Sequence, residues 1–484
     1  MDYFFTSRDR VRRSFEPIAG VDLDAVRYVS GPRALADGTP FFLGPDMRPL
    51  EPHSSFFHEM AKTLKASSLQ DYAYDFLALD DFLTSLDPPS DVLAATEDDL
   101  LAYRRYCTEH RDEPMAPATW KRHRAVINNF YDWAVETKLL TERPYFRKAN
   151  GRDVLSWGST SELDIRHLTF DQWSFLDRVG LRGLLPDGTV DRSFRNAHPL
   201  RNSGGGNLAI TTGLRLREFR ALLDVEVGVP RRDGAAGEVE LQAIAKFGLP
   251  RTVEIQDRTL RELDWYRRSE RAVAVRKAAK NLAGRRDELY VVDDIDLRLM
   301  KVRGRQFGQR KTWTIKAMPA EVRRIAVTEG DHGLEPMALF VGRSGLMISA
   351  QRWEQIFGDA HARALRIIAE YELPLEMPRR VRIHDTRHTF AVYMLELLTE
   401  LQRAKDAEEY ARSGRVAPYA ADHIARNPFL TVMRLLGHRS PGSTMRYLTY
   451  KRSTNLLVTQ AISQWNEQDS TYGQLASQHA GRWS

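Results

Sequence analysis

Two short pieces between Arg382 and Tyr447 decide the reading of this chain: His384-Asp385-Thr386-Arg387-His388, and Leu436-Gly437-His438, with Tyr447 nine residues after His438. In the first, an Arg lies between two His, and a helix would set His384 and His388 on one face. In the second, a Gly suits a helix end or turn and leads to Thr444-Met445-Arg446-Tyr447. A guanidinium, imidazoles and a phenol are the groups that chemistry on a phosphodiester needs. Arg holds non-bridging oxygens bidentately, His moves protons, and Tyr attacks as a nucleophile. Upstream, Thr212-Gly213-Leu214-Arg215-Leu216-Arg217-Glu218 supplies a second Arg just after a Gly turn.

His384 and His388 are four residues apart, as in zinc-binding H-E-x-x-H helices. Here Asp385 stands where the Glu would be, and Arg387 between the two imidazoles repels a cation. No metal site and no cofactor are expected. Arg201-Asn202-Ser203-Gly204-Gly205-Gly206 lacks the Gly-Lys-Ser/Thr ending of a phosphate-cradling loop, so a nucleotide site is not expected either.

Taken together, these motifs resemble the tyrosine recombinase (phage integrase) family. That family carries an Arg in a T-G-L-R-x-x-E box, a Lys in a β-hairpin, an H-x-x-R box, an L-G-H box and a nucleophilic Tyr nine residues on. Their counterparts occur in that order in this chain between Ala197 and Tyr450. The resemblance implies that Tyr447 attacks a DNA phosphodiester, giving a 3′-phosphotyrosyl link and a free 5′-hydroxyl. It implies that Arg215 and Arg387 neutralise the phosphate, that Lys246 protonates the leaving oxygen, and that His384 and His438 assist. Tyr450 is a rival for Tyr447, and Lys311 for Lys246. The implied partner is double-stranded DNA bearing recombination sites, met by a homotetramer with accessory DNA-bending or directionality factors. The implied errand is integration or excision of a mobile element. Two other readings use the same fold: a type IB topoisomerase-like enzyme, and a DNA-binding protein without catalysis.

Bulk properties are compatible with this. The chain has 484 residues, a net charge of +6 and 42% hydrophobic residues, which suit two or three soluble domains. Charge is concentrated: Arg261 to Arg324 holds 18 Lys or Arg against 9 Asp or Glu. That excess suits either a solvated face or a phosphate-facing one. Cys107 is the only cysteine, which points to a reducing compartment, and no apolar run has the length of a membrane span. A cytoplasmic, nucleoid-associated protein is expected.

The expected fold is mainly α with a small β-hairpin or sheet. Residues 1–52 form an N-terminal arm or cap. Residues 53–150 are expected to be a helical domain, from the three- to five-residue spacing of Phe56, Met60, Leu64, Tyr72, Phe76 and Leu79, and the resemblance implies that it is the family's core-binding domain. In its last helix Lys121, Arg122 and Arg124 lie off the apolar stripe, as a solubilising face or as phosphate contacts. Residues 151–196 are expected to be a linker. Residues 197–484 form a mixed, mostly helical catalytic domain with insertions at about 272–334 and 401–427 and a C-terminal tail. Its hairpin is read from Val239 to Ile255 with Lys246 near the turn. A second strand-like pair is read at Leu297–Val302 and Trp313–Ile315. In the tail, Leu456, Leu457, Ile462 and Trp465 suit either the exchange between protomers that the resemblance implies or packing in cis.

Overall fold

The computed structural model describes residues 2–7, 35–148, 151–158, 167–195, 198–413 and 427–445. The chain divides into two compact units, Met1–Leu163 and Asp164–Ser484.

The first unit opens with an antiparallel pair, β1 (Asp2–Phe5) and β2 (Pro40–Leu43). Four helices follow: α1 (His53–Met60), α2 (Ala66–Thr84), α3 (Glu97–Arg105) and α4 (Pro117–Glu136). α3 starts where Thr96 and Asp99 cap each other reciprocally, and α4 starts on Pro117, whose missing N–H costs nothing at a helix start. Phe42, Phe56, Phe57, Phe76, Trp120 and Phe130 are buried in one core. The basic residues off the α4 stripe are mostly tied down within the unit. Arg122 donates to Asp75 at 2.6 and 2.8 Å, and Arg124 to Asp153 at 3.0 and 2.9 Å.

The stretch expected as a linker is divided between the two units. In the first, Leu155 is buried and its carbonyl accepts from the Trp120 indole N–H at 2.8 Å. In the second, Trp173, Leu176 and Leu181 enter the core from α5 (Phe170–Phe175) and the π-helical turn that continues it. Gly-rich composition suggested a connector here, but buried aromatics and leucines decide the matter.

The second unit continues with α6 (Pro199–Thr212), α7 (Leu216–Phe219) and α8 (Asp224–Val227). α6 contains the Gly204-Gly205-Gly206 run in its interior, although each Gly costs a helix about 1 kcal/mol against Ala. Packing explains them: a Cβ on Gly205 would meet the Trp353 ring at 2.5 Å, and one on Gly206 the Trp173 ring at 2.9 Å.

β3 (Gly237–Leu241) and β4 (Arg251–Ile255) form the expected hairpin, with Gly237 opposite Ile255. α9 (Asp257–Tyr266) runs through a π-helical turn into α10 (Ala272–Ala283), so the insertion read from residue 272 begins inside a helix. Beyond it stands a five-stranded sheet, ordered β7-β6-β5-β8-β9. Its members are β5 (Tyr290–Asp296), β6 (Lys301–Gln306), β7 (Gln309–Thr314), β8 (Ala326–Gly330) and β9 (Gly333–Pro336), with α11 (Ala320–Arg324) between β7 and β8. The strand pair expected at Leu297–Val302 and Trp313–Ile315 is thereby corrected to Lys301–Gln306 and Gln309–Thr314. Charged residues fill the outer positions of both strands, so hydrophobic alternation hid them.

The remaining helices are α12 (Ala350–Glu370), α13 (Ile383–Ser413), α14 (Pro428–Leu436) and α15 (Pro441–Met445). α13 extends into the insertion read at 401–427, and residues 414–426 lie outside the described residues. The architecture is mainly helical with small sheets. Among the described residues no helix is long and apolar enough to cross a membrane.

Candidate functional site

The Thr-Gly-Leu-Arg-x-x-Glu stretch is a helix end, a turn and a helix start. α6 terminates on Gly213 in the left-handed conformation (φ 61°), and a Cβ there would strike the Phe390 ring of α13 at 2.4 Å. Gly therefore allows both the turn and the close approach. Two residues on, Arg215 is the extended N-cap of α7, and Glu218 at its third position accepts the Arg215 backbone N–H at 2.9 Å. The spacing Arg-x-x-Glu thus has a local cause: the carboxylate caps the helix that begins on the Arg.

Glu218 is fully buried and collects donors from three segments. Arg215 donates at 3.1 Å, Arg251 from β4 at 3.0 and 2.6 Å, and the Lys246 backbone N–H at 3.4 Å. Burial opposes its ionisation, yet the bonds and charge of Arg251 and Arg215 hold its carboxyl below the usual range. Lys246 itself lies in a short 3-10 turn between β3 and β4, with its side chain exposed.

α13 begins with an N-terminal bond from the Arg382 N–H to Asp385 at 2.7 Å. One turn in, the Arg387 side chain is buried. It donates to the carbonyl oxygens of Gly213 at 2.5 Å and Leu436 at 2.6 Å, and to His438 Nε2 at 3.1 Å. α14 ends on Gly437, again left-handed at φ 61°, and the Gly437 carbonyl accepts from Arg215 at 3.2 Å. The three motifs therefore meet on the Leu436–Gly437 backbone.

Because Arg387 can only donate, His438 Nε2 presents its lone pair, and Nδ1 carries the proton toward Thr444 Oγ1 at 2.8 Å. Burial and then the charges of Arg387, Arg215, Arg251 and Lys246 push the His438 pKa down to about 3. Desolvation, Arg387, Arg215 and Arg382 also lower that of His384, although its ring stands on an open side and lies edge-on to His388 with centroids 4.7 Å apart. Both imidazoles are neutral at pH 7.

Arg215, Lys246, His384, Arg387 and His438 thus share one neighbourhood, while Tyr447 and its rival Tyr450 lie outside the described residues, as do Leu456, Leu457, Ile462 and Trp465. Lys311 lies on β7, where its ammonium donates to Gln306 at 3.0 Å. Sequence reasoning missed Arg251, the principal partner of Glu218. The available signal was an Arg opening the strand after the lysine turn. Two guanidinium groups thus share the Glu218 carboxylate, and the charges of Arg387, Arg215, Arg251 and Lys246 all act on His438, a positive surrounding that suits an anion with several oxygens.

Comparison with known proteins adds the following. Residues 55–138 match the family described as phage integrase, N-terminal SAM-like domain, in agreement with the family resemblance. No curated protein sequence is similar enough to count as a match. Among solved structures, the chain is similar to a XerH site-specific recombinase bound to palindromic difH substrate in a post-cleavage complex. The identity is 14% and the TM-score 0.44, covering 84% of this chain and 82% of that one. It is similar to a Tn1549 transposon integrase in complex with transposon right end DNA (12% identity, TM-score 0.44, 88% and 96% covered). A lambda integrase dimer bound to a COC′ core site gives 12% identity and a TM-score of 0.42, with 81% and 74% covered.

Proposed function

We propose that this chain, whose first helical unit carries a phage integrase N-terminal SAM-like domain, is a site-specific DNA recombinase that cleaves and rejoins strands through a phosphotyrosyl intermediate. The supporting observation is that Arg215, Arg387 and His438, from three motifs far apart in sequence, meet on the Leu436–Gly437 backbone beside the Lys246 turn.

In the proposed reaction the Tyr447 oxygen forms a bond to phosphorus as the bond to the 5′-oxygen breaks. His384, neutral and solvent-accessible, takes the phenolic proton. Lys246 returns a proton to the leaving 5′-oxygen, and water restores the lysine. Arg215 faces the non-bridging oxygens as charge builds on them, and Arg387 supports the same cluster from below. His438, held neutral with its Nδ1 proton on Thr444, fixes the segment that leads to Tyr447. The bond energy is kept in the link, so rejoining by the 5′-hydroxyl needs no cofactor. The substrate is double-stranded DNA with recombination sites, two duplexes are brought together by a homotetramer, and the errand is integration or excision of a mobile element.

Trapping on a nicked suicide substrate tests this, with the unaltered chain beside Tyr447→Phe. A covalent protein–DNA adduct is expected with the first and none with the second, while both bind. An adduct that survives in Tyr447→Phe moves the nucleophile to Tyr450. Tight binding without any adduct from either protein leaves a DNA-binding role alone.

A further inference from the structure

The five-stranded sheet lies outside the motifs that build the Glu218 cluster, and part of it is strongly basic. Its β6–β7 ribbon, Lys301 to Thr314, contains five Lys or Arg and no Asp or Glu. The ladder is regular, from Lys301 opposite Thr314 to Gln306 opposite Gln309. It closes on a two-residue turn, Phe307 (φ 48°) and Gly308 (φ 73°), whose left-handed residues match the twist of a tight ribbon. Six residues per strand make it about 17 Å long.

Alternation sorts its side chains onto two faces. Val302, Gly304 and Gln306 are buried, with Val302 in the small core that also holds Tyr290 and Ile315. Lys301, Arg303 and Arg305 point the other way, joined across the ladder by Arg310. Arg305 and Arg310 are directly opposed and both exposed, an arrangement that costs stability in an isolated sheet. Asp294 and Asp293 on β5 answer Arg303 and Arg305 at 2.7 and 3.8 Å, but these pairs are half exposed and weak.

The base of the ribbon is locked onto the segments that carry Arg215 and Lys246. Where β7 ends, the Lys316 carbonyl accepts from the Ala243 N–H at 2.9 Å, and the Lys316 ammonium pairs with Glu240 at 2.7 Å. Ala243 is three residues before Lys246. Arg323, with no exposed surface, donates to Ala221 and Met318 carbonyls at 3.1 and 3.0 Å, to Glu226 at 2.5 Å, and to the Ile315 carbonyl. Arg323 on α11 thereby ties Ile315, just past β7, to Ala221 after α7 and to Glu226 on α8. The ribbon is a fixed arm.

We infer that the outer face of the β6–β7 ribbon (Lys301, Arg303, Arg305 and Arg310) is a second contact surface for duplex DNA, gripping the phosphate backbone beside the cleavage site. The inference rests on the reading that the partner is duplex DNA. Phosphates between Arg305 and Arg310 relieve the opposed charges, and both Asp pairs are weak enough to yield to them. Such contacts position a duplex without reading its sequence.

The test needs no cognate site. Binding of the full chain to a fluorescently labelled duplex of arbitrary sequence is followed across a salt series, for the unaltered protein, the triple variant Arg303→Ala/Arg305→Ala/Arg310→Ala, and the charge-keeping triple Arg→Lys. Each phosphate contact contributes about 0.9 to the slope of log K against log salt, so the alanine variant is expected to lose about 2 to 3 in slope and the lysine variant almost nothing. Thermal melts check that both variants fold. An unchanged slope in the alanine variant overturns the inference. So does a change in sedimentation behaviour without a change in slope, which assigns the ribbon to a second copy of the chain. A slope loss alongside a failed adduct trap keeps this surface and removes the proposed chemistry. Failure of the unaltered protein to bind any duplex removes both.

Discussion

The first unit and the Glu218 cluster use the same residue in opposite ways. In the first unit Arg122 and Arg124 each meet a separate carboxylate, Asp75 and Asp153. In the second, Arg215 and Arg251 share the single carboxylate of Glu218, and Arg387 is satisfied by carbonyl oxygens and His438. A matched arginine is a structural cross-link. Two arginines on one carboxylate leave a net positive charge, which suits the anion of the proposed reaction. The difference lies in the bookkeeping of charge, and motif spacing alone does not reveal it.

The sharpest way to break this comparison is to remove a lysine from each side of the second unit. Lys246→Ala is expected to slow adduct formation by about 100-fold or more, the scale of a lost general acid. Lys311→Ala, whose ammonium already answers Gln306, is expected to leave the rate within about twofold of normal, as a surface change does. Equal losses from the two variants would contradict the assignment of the hairpin lysine.

A smaller effect compares the carboxylates by urea denaturation. Glu218→Gln leaves Arg251, whose side chain is only 9% exposed, without its counter-charge and is expected to destabilise the second unit by about 3 kcal/mol. Asp75→Asn is expected to cost the first unit less, about 1.5 kcal/mol, because its partner Arg122 is 43% exposed and rehydrates. Reversal of that order means that Glu218 is not the keystone of its cluster.

The last comparison is the pH dependence of the second unit. His438 has a folded pKa of about 3, below the value near 6.5 expected once unfolded. Between those values the unfolded chain binds a proton that the folded one refuses, so stability falls as pH drops through this window. Above about 6.5 both states are neutral and this group has no effect. His438→Gln should make the acid loss shallower. An anion mimic such as sulfate should raise the folded pKa, since negative charge among Arg387, Arg215 and Lys246 offsets their repulsion of the imidazolium. Nuclear magnetic resonance titration of the ring reads both shifts.

Much of this was legible in order and spacing. The αL glycines at Gly213 and Gly437 and the capping pair Arg215 and Glu218 are local devices, and local devices leave local signatures. Helices with strong apolar stripes, such as α4 and α12, are equally readable. The features that spacing did not show share one cause. The glycines of α6, the aromatics and leucines of 168–181 and the charged strands β6 and β7 take their conformations from partners distant in sequence. Trp353 excludes a Cβ at Gly205, and no nearby residue announces that.

By itself the sequence determined the mainly helical class, the motif order and the candidate residues Arg215, Lys246, His384, Arg387, His438 and Tyr447. Only the tertiary structure decided that Arg251 completes the Glu218 cluster, that Lys246 rather than Lys311 stands beside it, and that Arg323 anchors a basic ribbon to the same base. The physical reason is that spacing along a chain records which backbone turns are possible, whereas the pairing of buried charge depends on which distant groups leave water together.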